Sequence, residues 1–180
     1  MKYVAFLDIL GYKNKLKKLN HNQAKKYISD FSTVAYTEWT SSDTTYVSGY
    51  IVSDSFIINT TNTTNVSLFQ LLSVVKRICE QEYTINGIMV RGAIAKGNFD
   101  NMAAREISNL SKGLIVGQAY VDAYLLEDTM KSVGIVLSKD VYQDIENFNL
   151  NFNCYNESSD KSEKYIFSYF DFDFLCKSEN

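Results

Sequence analysis

The sequence predicts an α+β sandwich, with helices packed on a mostly antiparallel sheet. Three observations predict it. Strand-like and helix-like hydrophobic periods alternate along the chain in the order βαββαβαβαββ, adjacent strand pairs are joined by short polar segments, and no proline breaks any strand. No segment repeats at a fixed period.

Residues 1–9 read as a buried strand. Ala24, Tyr27, Ile28, Phe31, Val34 and Ala35 then keep the spacing of one helical face up to Trp39. Residues 44–51 and 55–59 read as two strands around a short turn that carries Asp54. After the polar stretch 60–64, Leu68, Leu72, Val75 and Cys79 mark a second helix, which Asn86-Gly87 stops before the strand 88–95. Residues 100–112 are polar and mixed, and read as an excursion with one helical turn. A third helix over 117–128, a strand over 134–137 and a short helix over 140–146 follow. Strands 152–155 and 165–170 are expected to pair as a last hairpin across the charged loop 157–164.

With 180 residues, 46% of them hydrophobic, the chain can bury one good core, and a single domain over 1–180 is expected. Its net charge of -3 argues against direct nucleic-acid binding, because a nonspecific grip on duplex phosphates needs a basic surface. Cys79, Cys154 and Cys176 are odd in number and lack Cys-x-x-Cys spacing, which indicates neither a disulfide framework nor a zinc site. A reducing cytoplasm suits them. No apolar signal core opens the chain, and no apolar run approaches the roughly 18–20 residues that span a bilayer, so a cytoplasmic protein without membrane binding is expected.

The chemistry is carried by a pattern used twice. Tyr3-Val4-Ala5-Phe6-Leu7-Asp8-Ile9-Leu10-Gly11-Tyr12 is an apolar strand that ends in an acid and a glycine turn, and Tyr50-Ile51-Val52-Ser53-Asp54-Ser55 repeats the idea. Mg²⁺ and Mn²⁺ take oxygen ligands, commonly one or two carboxylates plus substrate phosphates, so one Asp from each of two strand ends suffices. The main-chain carbonyl of Ile9 is a candidate third ligand. Gly11 lets the backbone approach a phosphate closely, and the helix start after it offers amide donors to an anion. Either acid alone reads as a helix cap; the pair reads as a metal site.

Phe6-Leu7-Asp8-Ile9-Leu10-Gly11-Tyr12, followed by Ser53-Asp54-Ser55, resembles the two metal motifs of class III nucleotidyl cyclases. Val90-Arg91-Gly92-Ala93-Ile94-Ala95-Lys96-Gly97 and Gly117-Gln118-Ala119-Tyr120-Val121-Asp122-Ala123-Tyr124-Leu125-Leu126-Glu127 are similar to one branch of them. That branch is the bacterial Pycsar pyrimidine cyclases, which make cyclic UMP or cyclic CMP in defence against phage. The resemblance runs from residue 3 to about residue 138. It implies a class III cyclase-like, ferredoxin-like sandwich in which Asp8 and Asp54 hold two Mg²⁺ or Mn²⁺ ions at the interface of a homodimer. The helix over 117–128 fits that assembly, because it exposes Tyr120, Val121, Tyr124 and Leu125 over adjoining faces, and a C2 interface is the commonest way to bury such a surface.

The sequence also departs from the family. In adenylate cyclases the helix matching 117–127 carries an Asn and an Arg that support the ribose and the transition state; here those positions hold Val121 and Leu125. The purine-reading Lys, four residues before the second metal Asp, is replaced by Tyr50, and its Asp or Thr partner falls near Leu114. By this comparison a purine-specific cyclase is not expected. Tyr50 shares a strand face with the Asp54 position, can donate or accept through its hydroxyl, and fills space that a purine needs.

Arg77, Arg91 and Arg105 are the chain's arginines, and a guanidinium fork suits a transition state that gathers charge on phosphate oxygens. Arg77 reads as a solvated charge on a helix, and Arg105 as a surface residue in a polar loop. Arg91 lies in a strand of small and β-branched residues, where an unpaired charge is costly. It reads as a substrate ligand, on phosphate or on a pyrimidine carbonyl, with a structural salt bridge as the rival. Lys131 and Lys139 flank the 134–137 strand within reach of a triphosphate tail or simply in solvent. No Ser-His-Asp or Cys-His nucleophile system is visible.

The expected function is therefore a uridylate cyclase that converts UTP to cyclic UMP and pyrophosphate and signals to a separate cyclic-nucleotide-activated effector. A cytidylate cyclase acting on CTP, a cyclase-like domain that binds nucleotide without turnover, and a metal-dependent nuclease or phosphodiesterase remain alternatives.

Overall fold

The computed structural model describes residues 1–102, 114–130, 133–159 and 162–170. Arg105, Lys131, Cys176 and most of the excursion expected at 100–112 lie outside them. A seven-stranded sheet is built from β1 (Lys2–Ile9), β2 (Val47–Val52), β3 (Ser55–Thr60), β4 (Val90–Gly97), β7 (Gly134–Leu137), β8 (Cys154–Ser159) and β9 (Ser162–Phe167). Its order is β2-β3-β1-β4-β7-β9-β8. Among the described pairings only β4 with β7 is parallel, and a parallel neighbour needs a crossover, which α4 (Gln118–Asp128) supplies.

Strand alternation sorts the side chains of β1 between two faces. Tyr3, Ala5, Leu7 and Ile9 join the larger core, covered by α2 (His21–Thr40), α3 (Asn65–Asn86) and α5 (Lys139–Asn147). Val4 and Phe6 meet Ala119, Ala123 and Tyr120 of α4 on the other face. Asp8 follows Val4 and Phe6 in that alternation, so an interior strand delivers an acid to the face that carries α4.

The helices begin and end where local chemistry tells them to. α3 buries Leu68, Leu71, Leu72, Val75, Ile78 and Cys79, starts at Thr64, whose side chain accepts from the Ser67 amide, and stops at Gly87 in the left-handed region at φ +62°. α2 starts at His21, earlier than its apolar period, because Asn20 and Gln23 form a reciprocal capping box ahead of it.

Three elements differ from expectation. Tyr12–Leu16 forms a short helix of its own, α1. β5 (Asp100–Met102) pairs with β6 (Leu114–Val116) in a separate two-stranded ribbon, and strands of three residues are too short to carry a period. The polar stretch 157–164, expected as a loop, is mostly strand: Glu157 opposes Lys164, and Asn156 Nδ2 donates to Glu163 Oε1 at 2.9 Å. Opposite charges across an edge hairpin favour pairing, so polarity there does not mean loop. No helix among the described residues is long and apolar enough to cross a membrane.

Candidate active site

The end of β1 and the β2–β3 turn are stitched together. Asp8 stands opposite Ser55 in β3 and opposite Arg91 in β4. The Ile9 amide donates to the Asp54 carbonyl at 3.3 Å, and Ser55 Oγ donates to Asp8 Oδ1 at 3.4 Å. Ser53 takes a left-handed conformation, φ +59°, which turns the chain tightly enough to bring Asp54 back over β1. The two sequence-predicted acids thus share one site.

The Asp8 pKa is pushed up to about 6. Burial is the first cause, the Asp54 charge the second and Glu127 the third, while Arg91 pulls the value down. A carboxyl raised by burial and by two neighbouring acids marks a site short of positive charge. With the Ile9 main chain beside Asp8 and Asp54, the donors are oxygens only, which fits a hard divalent ion. Among the described residues no cluster of three or more His, Cys, Asp or Glu side chains forms a fuller metal cage.

The acids line a cavity of about 340 Å³ with Ile9, Gly11, Lys13, Lys17 and Arg91. Gly11 caps α1 with φ +77°, and a Cβ there would meet nothing within 4 Å, so glycine is required by conformation and not by space. Lys13 and Lys17, one turn apart, are exposed and make no ion pair among the described residues. Sequence reasoning missed them; their spacing directly after the acid-glycine turn was the available signal.

Arg91 is in the same cavity but is not free. Its Nε lies 2.5 Å from Glu127 Oε1 of α4, as a charge contact without aligned hydrogen-bond geometry. Its Nη1 donates to the Met130 carbonyl at 3.1 Å, and its Nη2 is 3.7 Å from Asp8 Oδ2. Arg77 pairs with the buried Glu38 at 3.0 Å, away from the site.

Tyr50 lies on the face of the sheet that carries Asp8, since it pairs with Ile57, and Ile57 pairs with Phe6. It sits on the edge strand and does not line the cavity of the two acids. Leu125 lines a second, larger cavity, of about 570 Å³, with Asp122, Lys139 and Lys164. Lys164 Nζ donates to the Thr129 carbonyl at 3.0 Å, and Lys139 stands 3.9 Å from Glu163. The smaller cavity is the candidate site, because it alone of the two contains Asp8 and Asp54. Within one chain, then, the acids are separated from Tyr50 and from Leu125. Val121, Tyr124 and Leu125 of α4 are exposed.

No family model and no characterised protein matches the sequence. Solved structures match the fold. The guanylyl cyclase domain of the RhoGC fusion protein from the aquatic fungus Blastocladiella emersonii is similar at 17% identity over 92% of this chain and 92% of that one, with a TM-score of 0.68. The adenylyl cyclase CyaB from P. aeruginosa is similar at 16% identity over 93% of each chain, with a TM-score of 0.62. The guanylate cyclase domain of RhGC from Catenaria anguillulae, solved in complex with GTP, is similar at 16% identity over 93% of this chain and 95% of that one, with a TM-score of 0.65. At such identities the likeness is one of fold, and the fold of this chain is that of nucleotidyl cyclase catalytic domains.

Proposed function

We propose that the protein is a pyrimidine nucleotidyl cyclase that converts UTP to 3′,5′-cyclic UMP and pyrophosphate, as the messenger-producing enzyme of a bacterial antiphage system. One observation carries the reading: within a cyclase fold, Asp8 and Asp54 line one cavity, brought there by the pairing of β1 with β3 and the Ile9 amide that donates to the Asp54 carbonyl. In the reaction the ribose 3′ oxygen bonds to the α-phosphorus, the bond from that phosphorus to the β-phosphate oxygen breaks, and the hydroxyl proton passes to solvent. No covalent nucleophile on the protein is needed.

Asp8, Asp54 and the Ile9 carbonyl would hold the Mg²⁺ or Mn²⁺ ions of a two-metal site. Such ions lower the charge of the triphosphate, aid loss of the 3′ proton and steady the leaving pyrophosphate. The residues of the chain orient the rest. Gly11 shapes the turn beside the phosphates, and Lys13 and Lys17 face the same cavity with charges free to meet the polyphosphate tail. Arg91 supports the site from β4. Tyr50 lies outside the acids' cavity, so it would read the base from the partner subunit of a homodimer; Leu125 and Lys164, which line the larger cavity, likewise lie apart from the acids of their own chain. Tyr50 in place of a purine-reading Lys favours a pyrimidine, and CTP is the nearest competitor. A separate cytoplasmic effector would receive the cyclic nucleotide.

A second reading has its own support. A domain that binds nucleotide without turning it over fits the apolar Val121 and Leu125 on α4 and the occupation of Arg91 by Glu127. Release of pyrophosphate separates the two. The purified protein, given each nucleoside triphosphate with Mn²⁺, is expected to release pyrophosphate fastest from UTP; release from none of the four contradicts the cyclase reading.

A further inference from the structure

Among the described residues the Arg91 guanidinium has three polar partners, and their distances rank them. Glu127 Oε1 is at 2.5 Å, the Met130 carbonyl at 3.1 Å and Asp8 Oδ2 at 3.7 Å. The two nearer ones lie at the end of α4 and just beyond it, and Glu127 is only 4% exposed. The most distant is the acid read above as a cation ligand. A guanidinium beside a carboxylate competes with any other cation for it, and its hold falls with distance. The fork is thus drawn towards the helix and away from Asp8.

We propose that Glu127 is a positioning residue of the cation site: by holding Arg91 against α4 it keeps the guanidinium off Asp8 and leaves that carboxylate open to a divalent ion. The proposal rests on the reading of Asp8 and Asp54 as cation ligands and adds to it a residue on another element. It also couples two surfaces. Glu127 is on the same 11-residue helix as the exposed Val121, Tyr124 and Leu125. Whatever seats on that apolar face, a second copy of the chain above all, fixes where α4 lies and so how far Arg91 stands from Asp8. Assembly and cation affinity are then linked through one ion pair.

The test uses the purified full chain and Mn²⁺ alone, with free Mn²⁺ followed by electron paramagnetic resonance. Glu127→Gln releases Arg91 towards Asp8 and is expected to weaken Mn²⁺ binding by about ten-fold, the scale on which groups that orient metal ligands act. Adding Arg91→Gln to Glu127→Gln removes the competitor and is expected to restore most of the affinity. A purely structural ion pair gives no such rescue. A folded Glu127→Gln protein that binds Mn²⁺ like the wild type, or a double variant as weak as the single one, overturns the proposal. Should Glu127→Gln fail to fold, Glu127→Asp withdraws the carboxylate by one methylene, and the same loss and the same rescue by Arg91→Gln are expected. Asp8→Ala separates the two levels of the argument. Wild-type binding that Asp8→Ala leaves intact, or no wild-type binding at all, overturns the cation site itself; loss in Asp8→Ala alone, with Glu127→Gln unaffected, overturns only the role of Glu127.

Discussion

Asp8 and Glu82 are both carboxyls that burial pushes upward, and the fold gives them different outlets. Asp8 opens onto a cavity shared with Asp54, where a cation can relieve the repulsion. Asp8→Ala and Asp54→Ala are therefore each expected to lower turnover by at least about a hundred-fold while far-UV circular dichroism and the melting transition stay close to wild type. Near-normal cyclisation by either variant would contradict the two-acid site. Glu82 is fully buried in α3, where Asn86 Nδ2 donates to its Oε2 at 3.0 Å and its Oε1 makes no hydrogen bond among the described residues. Burial pushes its pKa from 4.5 up to about 8. The folded state thus binds this proton more tightly than the unfolded state, so the stability it supports is fully present below about pH 4.5 and is lost as pH rises through 8. Glu82→Gln mimics the protonated form. It should raise the melting temperature at pH 9, by an effect on the order of a few kcal/mol, and change little at pH 5. A variant less stable than wild type at both values would show that the carboxylate is satisfied when charged. That Asp8 and Asp54 would come together was legible in the sequence, because each lies at the end of a strand beside a turn. Glu127 was not, because its partner Arg91 lies on another element and only the crossover of α4 over β4 brings them together.

Among the elements, α4 carries two duties on opposite sides. Ala119, Ala123 and the Glu127 end face the sheet, while Val121 and Leu125 face outward and the half-exposed Tyr124 lies between, edge-on to Phe6 of the sheet at 5.3 Å. An outward Leu that is 59% exposed contributes little to the fold of its own chain. Leu125→Asp is accordingly expected to leave the melting temperature within a few degrees while shifting sedimentation velocity towards monomer at micromolar concentration. A variant that sediments like the wild type would remove α4 from the interface. The helix itself was readable from its apolar spacing and its start at Gly117. The α1 turn and the β5–β6 ribbon were not, since neither contains enough residues for a period to emerge. The last hairpin was anticipated but its strands were cut short at the charged end, because charged residues on an edge strand look like a loop when the opposing charge is not in view.

At the scale of the molecule, one chain presents the acids in one cavity and Leu125, Lys139 and Lys164 in another. Arg91 belongs to the acids' own cavity, so a pair of variants meant to split a shared site must draw its second member from the other one. In a two-fold assembly whose sites each combine both cavities, mixing Asp54→Ala with Lys164→Ala subunits gives a heterodimer with one intact site. Each variant alone is expected to be deficient, and the mixture to regain measurable activity; no gain on mixing would mean that the site is complete within one chain. The sheet order and the face assignment explain how much of this could be anticipated. Alternation along β1 is a local property that fixes which residues share the face that carries α4, whereas the cavities depend on how separate elements approach one another.

The central claim is that this cyclase fold acts on a pyrimidine triphosphate. Its most direct test is an equimolar mixture of ATP, GTP, CTP and UTP incubated with the wild-type protein and Mn²⁺, with cyclic products resolved by mass. Cyclic UMP as the main product, cyclic CMP next and little cyclic AMP or cyclic GMP is the predicted result, with that preference blunted in Tyr50→Ala and every product lost in Asp54→Ala. Cyclic AMP or cyclic GMP formed as readily as cyclic UMP would contradict it.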